Sequence, residues 1–145
     1  MKRAMLLSVL LAGGVCCRLA ADEAETGRLT VVVKNVAHQR GRLRLALVRN
    51  AREFADTGKA KHSAIKKIEG KEVTFVFDGV AFGEIALKAH HDENGNGTVE
   101  TNVFGIPKEP YGLYRAVYPT FRAPRFDDAK FRFDKPSLRL VLKLK

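Results

Sequence analysis

The sequence predicts an all-β sandwich of about seven strands, immunoglobulin-like or transthyretin-like, with one long irregular loop. Three observations predict it. Short apolar runs alternate at period two, which is strand spacing. Gly, Pro and Asn clusters separate those runs. No segment of the body carries helical periodicity long enough for a sizeable helix. At 145 residues the chain is of single-domain length. A small closed β-barrel is the alternative that the same pattern allows.

The first 21 residues are read apart from the fold. Lys2 and Arg3 precede an apolar run from Ala4 to Cys17, and Ala20-Ala21 offers a cleavage point. The run is shorter than the roughly 20 residues of a membrane span and has the form of a signal peptide. The expectation is an exported protein, periplasmic or extracellular. Lipid anchoring through Cys16 or Cys17 is the alternative, although Val15 and Cys16 fit poorly as the residue before a lipidated cysteine. Cleavage after Ala21 leaves no cysteine and 23 cations against 16 anions. No later segment is apolar enough to span a bilayer. Residues 22–28 read as a polar, flexible lead, and 29–145 as the sandwich domain.

Leu29, Val31 and Val33 share one face of the first strand, and Leu43, Leu45 and Leu47 one face of the second. With His38-Gln39-Arg40-Gly41 between them, the two strands are expected to pair as a hairpin. Ala51–Ala55 has room for one helical turn ending by Gly58, and a short strand is expected near Ile65 and Ile68. Val73, Phe75 and Phe77 mark the next strand, with a turn at Asp78-Gly79. Ile85 to His91 follows. Residues 98–128 contain four of the five prolines and read as a loop of about 30 residues. Phe131 and Phe133, then Leu138, Leu140, Leu142 and Leu144, mark the last two strands.

The sharpest local motif is Asp92-Glu93-Asn94-Gly95-Asn96-Gly97-Thr98-Val99-Glu100. Oxygen-bearing side chains fall at positions one, three, five and nine, with glycine at six. This is the opening of a calcium loop, because calcium needs several hard oxygens on a tightly curved backbone. Asp92, Asn94, Asn96, Thr98 and Glu100 are the candidate ligands. Position twelve is Val103 rather than a bidentate glutamate, so Glu109 or Asp127 would have to return through the fold. A solvated Asn-Gly turn is the competing explanation.

Around this motif the chain resembles a known family. The run His91 to Gly97, then Glu100-Thr101-Asn102, then Gly105 to Gly112 looks like the bacterial domain of unknown function 2141 family. So do Phe77-Asp78-Gly79 and Pro124-Arg125-Phe126-Asp127-Asp128-Ala129. The resemblance implies a secreted β-sandwich with an opening hairpin and no assigned activity. Leu113-Tyr114-Arg115-Ala116 departs from the polar run that usually follows Tyr-Gly in the family.

Catalytic machinery is hard to find. Ser63 and Ser137 lie in no nucleophile elbow. His90 and His91 are adjacent in a strand and point to opposite faces. Neither a zinc-binding His-Glu-x-x-His pattern nor a Cys/His set occurs. A hydrolase would have to rest on His91 beside Asp92, so the expectation is a non-enzymatic module, with calcium its one implied cofactor. Residues 28–71 hold 12 Lys/Arg against three Asp/Glu. This basic stretch, concentrated in 40–67, suits anionic envelope glycans or lipids as partners; nucleic acid is not expected in an exported protein. Tyr111, Tyr114, Tyr118, Phe121 and Phe126 are expected to pin the long loop onto the sandwich, with sugar stacking as the alternative.

Overall fold

The computed structural model describes residues 25–103 and 107–145. The expected signal segment, both cysteines and residues 22–24 of the expected lead lie outside them. Eight strands are present among the described residues: β1 (Thr26–Lys34), β2 (Arg42–Val48), β3 (His62–Lys67), β4 (Glu72–Ala81), β5 (Gly83–Asp92), β6 (Tyr111–Leu113), β7 (Phe131–Phe133) and β8 (Ser137–Lys143). Helices are short, α1 (Ala51–Ala55) and α2 (Phe126–Ala129), with a 3-10 turn at Thr57–Lys59. Among the described residues, no helix is long and apolar enough to cross a membrane. β1 begins at Thr26, inside the segment expected to be a flexible lead, because Gly27 packs against Phe133 and the backbone of Lys135.

Among the described residues the strands form two sheets and no closed barrel. One sheet has the order β4-β1-β8, with β1 and β8 parallel. The other runs β3-β2-β5-β6, and β7 also pairs with β5. Between the sheets lie Leu29, Val31, Val33, Phe75, Leu140 and Leu142 from one side and Leu43, Leu45, Leu47, Ile85 and Leu87 from the other. A second apolar cluster joins Phe54 of α1 and Phe126 and Ala129 of α2 to Ala46, Val48 and Ala86 of the five-stranded sheet. Covered on both faces, β5 reads as a continuous apolar run at Ile85–Leu87 rather than as an alternation.

Two expected connections are corrected. β1 and β2 are not a hairpin: β1 pairs with β4 and β8, whereas β2 pairs with β3 and β5. Alternation shows which face a strand buries, and both strands bury theirs in the same core from opposite sheets. Residues 35–41 are therefore a crossing between sheets, with positive φ at Asn35 and Gly41. Asp78-Gly79 is not a turn but a bulge within β4. Gly27 pairs with Val80 and Leu29 with Phe77, which leaves Asp78 and Gly79 together opposite Arg28. Gly79 has φ 65°, and Arg28 pairs with Asp78 across the bulge. The chain passes to β5 at Phe82 instead.

The expected irregular loop 98–128 is interrupted by β6 and the start of α2, and its expected pinning is observed at Tyr114, Tyr118 and Phe126. Tyr114 packs edge-on to Phe131 with ring centres 4.9 Å apart, and Phe126 packs on Phe54 at 6.4 Å. The Lys145 ammonium lies 3.5 Å from the Tyr118 ring centre. Phe121, by contrast, stands free in solvent.

Candidate functional site

One end of the five-stranded sheet gathers most of the chemistry. There the crossing 35–41 enters β2, β3 ends, and β5 runs into the 92–100 loop. Gly41 makes this convergence possible. Its φ is 73°, and a Cβ there would overlap the Asp92 carbonyl oxygen and lie 2.6 Å from the Glu93 Cα. Backbone thus lies directly on backbone, and the turn before Gly41 is laid against the end of β5.

Asp92 anchors the loop. It is fully buried, and its Oδ2 accepts from Arg44 Nε at 2.8 Å and from the Gly97 N–H at 3.0 Å. Burial pushes its pKa up, but Arg44 and the N–H groups of Gly97 and Gly95 outweigh that and hold it below the usual carboxylate value. Among the described residues, Asp92 Oδ1 is buried and makes no hydrogen bond of ordinary length and angle. Further along, Asn94 Oδ1 accepts from the Asn96 N–H, and Asn96 Oδ1 accepts from the N–H and hydroxyl of Thr98. The amide groups of Asn94 and Asn96 both donate to Glu100 Oε1, at 3.1 and 2.9 Å.

Of the five candidate ligands, the fold thus draws the side chains of Asn94, Asn96, Thr98 and Glu100 into one hydrogen-bonded turn. Asp92 is joined to that turn through Gly97. Arg44 also reaches the loop: its Nη2 would lie 3.2 Å from a Cβ on Gly97. Glu109 does return to this end. It takes the Glu93 N–H on Oε1 at 2.9 Å and faces His90 Nε2 through Oε2 at 2.6 Å. Asp127 does not return; it belongs to α2 and pairs with Lys130 at 3.0 Å.

His91 and Asp92 are not paired with each other. His91 is fully buried, and its Nε2 lies 2.7 Å from the Arg40 carbonyl oxygen. Its Nδ1 lies 4.0 Å from Glu93 Oε1 and makes no hydrogen bond among the described residues. His38, from the crossing turn, completes this group: its Nε2 is 2.8 Å from Glu93 Oε1, and its ring centre is 4.8 Å from that of His91. Sequence reasoning missed this trio, because His38 and His91 are far apart in the chain and only the sheet crossing joins them. Gly41, next to a histidine turn and forced into left-handed backbone, was the available signal.

The basic stretch 40–67 is divided between the two ends of the β2–β3 pair. Arg49, Lys59 and Lys61 lie toward the far end, where Leu47 stands opposite His62. Arg40, Arg42, Lys66 and Lys67 lie at the near end, beside the crossing turn. Arg44 is committed to Asp92, and Lys66 donates to the Thr74 carbonyl. Among the described residues, Arg40, Arg42 and Lys67 are exposed and have no acidic partner. An open cavity of about 420 Å³ is lined by Gly41, Arg42, Ile65, Lys66 and Lys67.

No curated protein and no solved structure matches the chain. A family model does: its description is "Uncharacterized protein conserved in bacteria (DUF2141)", and it covers residues 31–140, which span the crossing turn, the cation-lined cavity and the 92–100 loop. The chain therefore belongs to the DUF2141 family.

Proposed function

We propose that this chain is an exported, non-enzymatic binding module that engages anionic groups at the basic end of its five-stranded sheet. The observation that carries the reading is the cavity of about 420 Å³, whose lining includes Arg42, Lys66 and Lys67 and no acid. Arg42 stands opposite Lys67 in the β2–β3 register, so adjacent strands present like charges side by side. Like charges directly opposite each other are unfavourable in a sheet, and an anion between them removes that cost. The ligand chemistry is phosphate, sulfate or carboxylate. Two sources share it, acidic envelope glycans and acidic lipid headgroups. The signal-like segment 1–21 supports export. A hydrolase resting on His91 beside Asp92 is disfavoured, because the two side chains leave β5 on opposite faces and bond to different groups.

Retention on heparin and lipopolysaccharide tests the glycan source, and co-sedimentation with phosphatidylglycerol vesicles tests the lipid source. Binding should fall steeply as salt rises toward 0.15 M, where the screening length is about 8 Å. Replacing Arg40, Arg42 and Lys67 together by Gln should weaken it with the fold unchanged. No binding to any of the three surfaces at low salt refutes the reading.

A second reading is favoured by Asp92 Oδ1, a buried carboxylate oxygen without a hydrogen-bond partner among the described residues, at the base of a loop of calcium-like spacing. In this reading Asp92, Asn94, Asn96, Thr98 and Glu100 hold calcium weakly. At calcium about ten times its dissociation constant, stability should rise by about 1.4 kcal/mol. That is a melting shift of roughly 3–5 °C in a domain of this size. Magnesium should do little, since it demands stricter geometry. No shift at millimolar calcium, or one that survives Asp92→Ala, removes this reading.

A further inference from the structure

We propose that His38, His91 and Glu93 form a binding site for a divalent first-row transition metal, of which Zn²⁺ is the best probe. It uses neither the cations of the anion surface nor the oxygen ligands of the 92–100 loop. The three side chains bring their donor atoms within 4.8 Å of one another. Two imidazoles and one carboxylate are a donor set that zinc accepts, with a fourth position left for water or a ligand.

The hydrogen bonding of His91 carries the argument. A carbonyl oxygen only accepts, so the bond to Arg40 O assigns the ring proton of His91 to Nε2. In the neutral ring Nδ1 is then a bare lone pair. It is buried, it lies on the Glu93 side, and among the described residues it has no hydrogen-bond donor. A fully buried histidine with an unused acceptor is anomalous, because buried polar atoms are nearly always satisfied. The same pattern is what a metal ligand needs: one ring nitrogen fixed on a backbone carbonyl, the other free to bind.

The spacing suits a metal as well. Zn–N and Zn–O bonds of about 2.0–2.2 Å at tetrahedral angles place neighbouring ligand atoms about 3.3 Å apart. His38 Nε2 is 2.8 Å from Glu93 Oε1, and His91 Nδ1 is 4.0 Å from it. These two separations bracket that value. The adjustment falls on His38 and Glu93, whose side chains are 30 % and 34 % exposed, while His91 stays fixed in the strand. That exposure also leaves an entry path and an open coordination position. Binding through Nε2 moves the His38 ring proton to Nδ1, which has no acceptor among the described residues, and the partly exposed side chain can turn to offer that proton to water. Glu93 is held in place by the Glu109 carboxylate on its N–H.

The test is titration of Zn²⁺, and separately Co²⁺, into the full chain without a polyhistidine tag. Cys16→Ser and Cys17→Ser remove competing thiols. The expected result is saturable uptake of one ion per chain, with visible Co²⁺ absorption from a low-coordinate site. His38→Ala and Glu93→Gln should each weaken binding by about tenfold or more. His62→Gln, at the far end of the β2–β3 pair, should leave zinc binding unchanged, and millimolar calcium should not displace the ion. His91→Gln should also lose binding, but it alters the core, so the two partly exposed ligands are the deciding variants. Their urea midpoints report that the fold is kept. Absence of one-equivalent uptake overturns the proposal. So does uptake that is equal in the parent, His38→Ala and Glu93→Gln, which would place the ion elsewhere.

Discussion

Gly41→Ala should be far more damaging than Gly95→Ala, although the two glycines have almost the same φ. Their values are 73° and 75°, so each substitution meets the same left-handed penalty, about 1–2 kcal/mol. Each also restricts the unfolded chain to the same extent, which cancels in the comparison. Only the surroundings differ. A Cβ on Gly95 has nothing within 4 Å, whereas one on Gly41 overlaps the Asp92 carbonyl and comes within 2.6 Å of the Glu93 Cα. Carbon contacts settle at about 3.5–4.0 Å, so the crossing turn must part from β5 by on the order of 1 Å. Forced overpacking costs about 1–3 kcal/mol. Urea unfolding at constant m should therefore place Gly41→Ala about 1–3 kcal/mol below Gly95→Ala. The displaced turn also carries His38 and the Arg40 carbonyl, so zinc binding should fall in Gly41→Ala and survive in Gly95→Ala. Equal stabilities, within about 0.5 kcal/mol, would refute the view that backbone contact at Gly41 assembles this end of the sandwich.

Asp128 has its pKa lowered to about 2 by the Arg122 guanidinium and by the Arg125 N–H. A carboxylate with a depressed folded-state pKa stabilises above its unfolded value, about 3.9, and that contribution is lost as pH falls toward the folded one. Asp128→Asn should therefore lower the melting temperature at pH 7 and flatten its decline between about pH 4 and 2; a parallel decline in parent and variant would contradict this. Arg44→Gln leaves the buried Asp92 carboxylate without its cation. The loss should be about 2–3 kcal/mol, below the roughly 3–5 kcal/mol of a wholly buried pair, because water reaches the Arg44 side of the pair. A urea-measured loss under about 0.5 kcal/mol would mean that the pair is not what holds the loop.

The two-layer class was legible because strand alternation reports burial directly. Leu29, Val31 and Val33 would be core in either sheet, as would Leu43, Leu45 and Leu47. Pairing was not legible for the same reason: a period of two carries no information about the neighbouring strand, so a crossing was read as a hairpin. Asp78-Gly79 misled in a related way. Positive φ at a glycine serves a bulge as well as a turn, and only the offset between Gly27–Val80 and Leu29–Phe77 separates the two. At the candidate site, the Asx-type turns of Asn94 and Asn96 are local and follow from residue type. The His38–His91–Glu93 group is non-local and waits on register.

Arg44 links the loop to the sheet and helps hold its calcium-like spacing in an ordered turn. In β2 Arg44 stands opposite His90 of β5, and its side chain runs to Asp92 and along Gly97. It supplies, from within the protein, a positive charge at the base of a loop whose other acidic candidate ligand is Glu100. A calcium ion must therefore share Asp92 with a guanidinium that is already bonded to Oδ2, and only Oδ1 is unengaged. This competition predicts weak affinity from charge alone, apart from the missing glutamate at Val103. Among the described residues, no such cation is bonded to Nδ1 of His91, which faces an acid across 4.0 Å. Asp92 and His91 are neighbours in β5, yet they serve different groups, because successive side chains leave a strand on opposite faces. The same strand end therefore offers an oxygen loop neutralised by arginine on one side and an imidazole–carboxylate group open to a transition metal on the other.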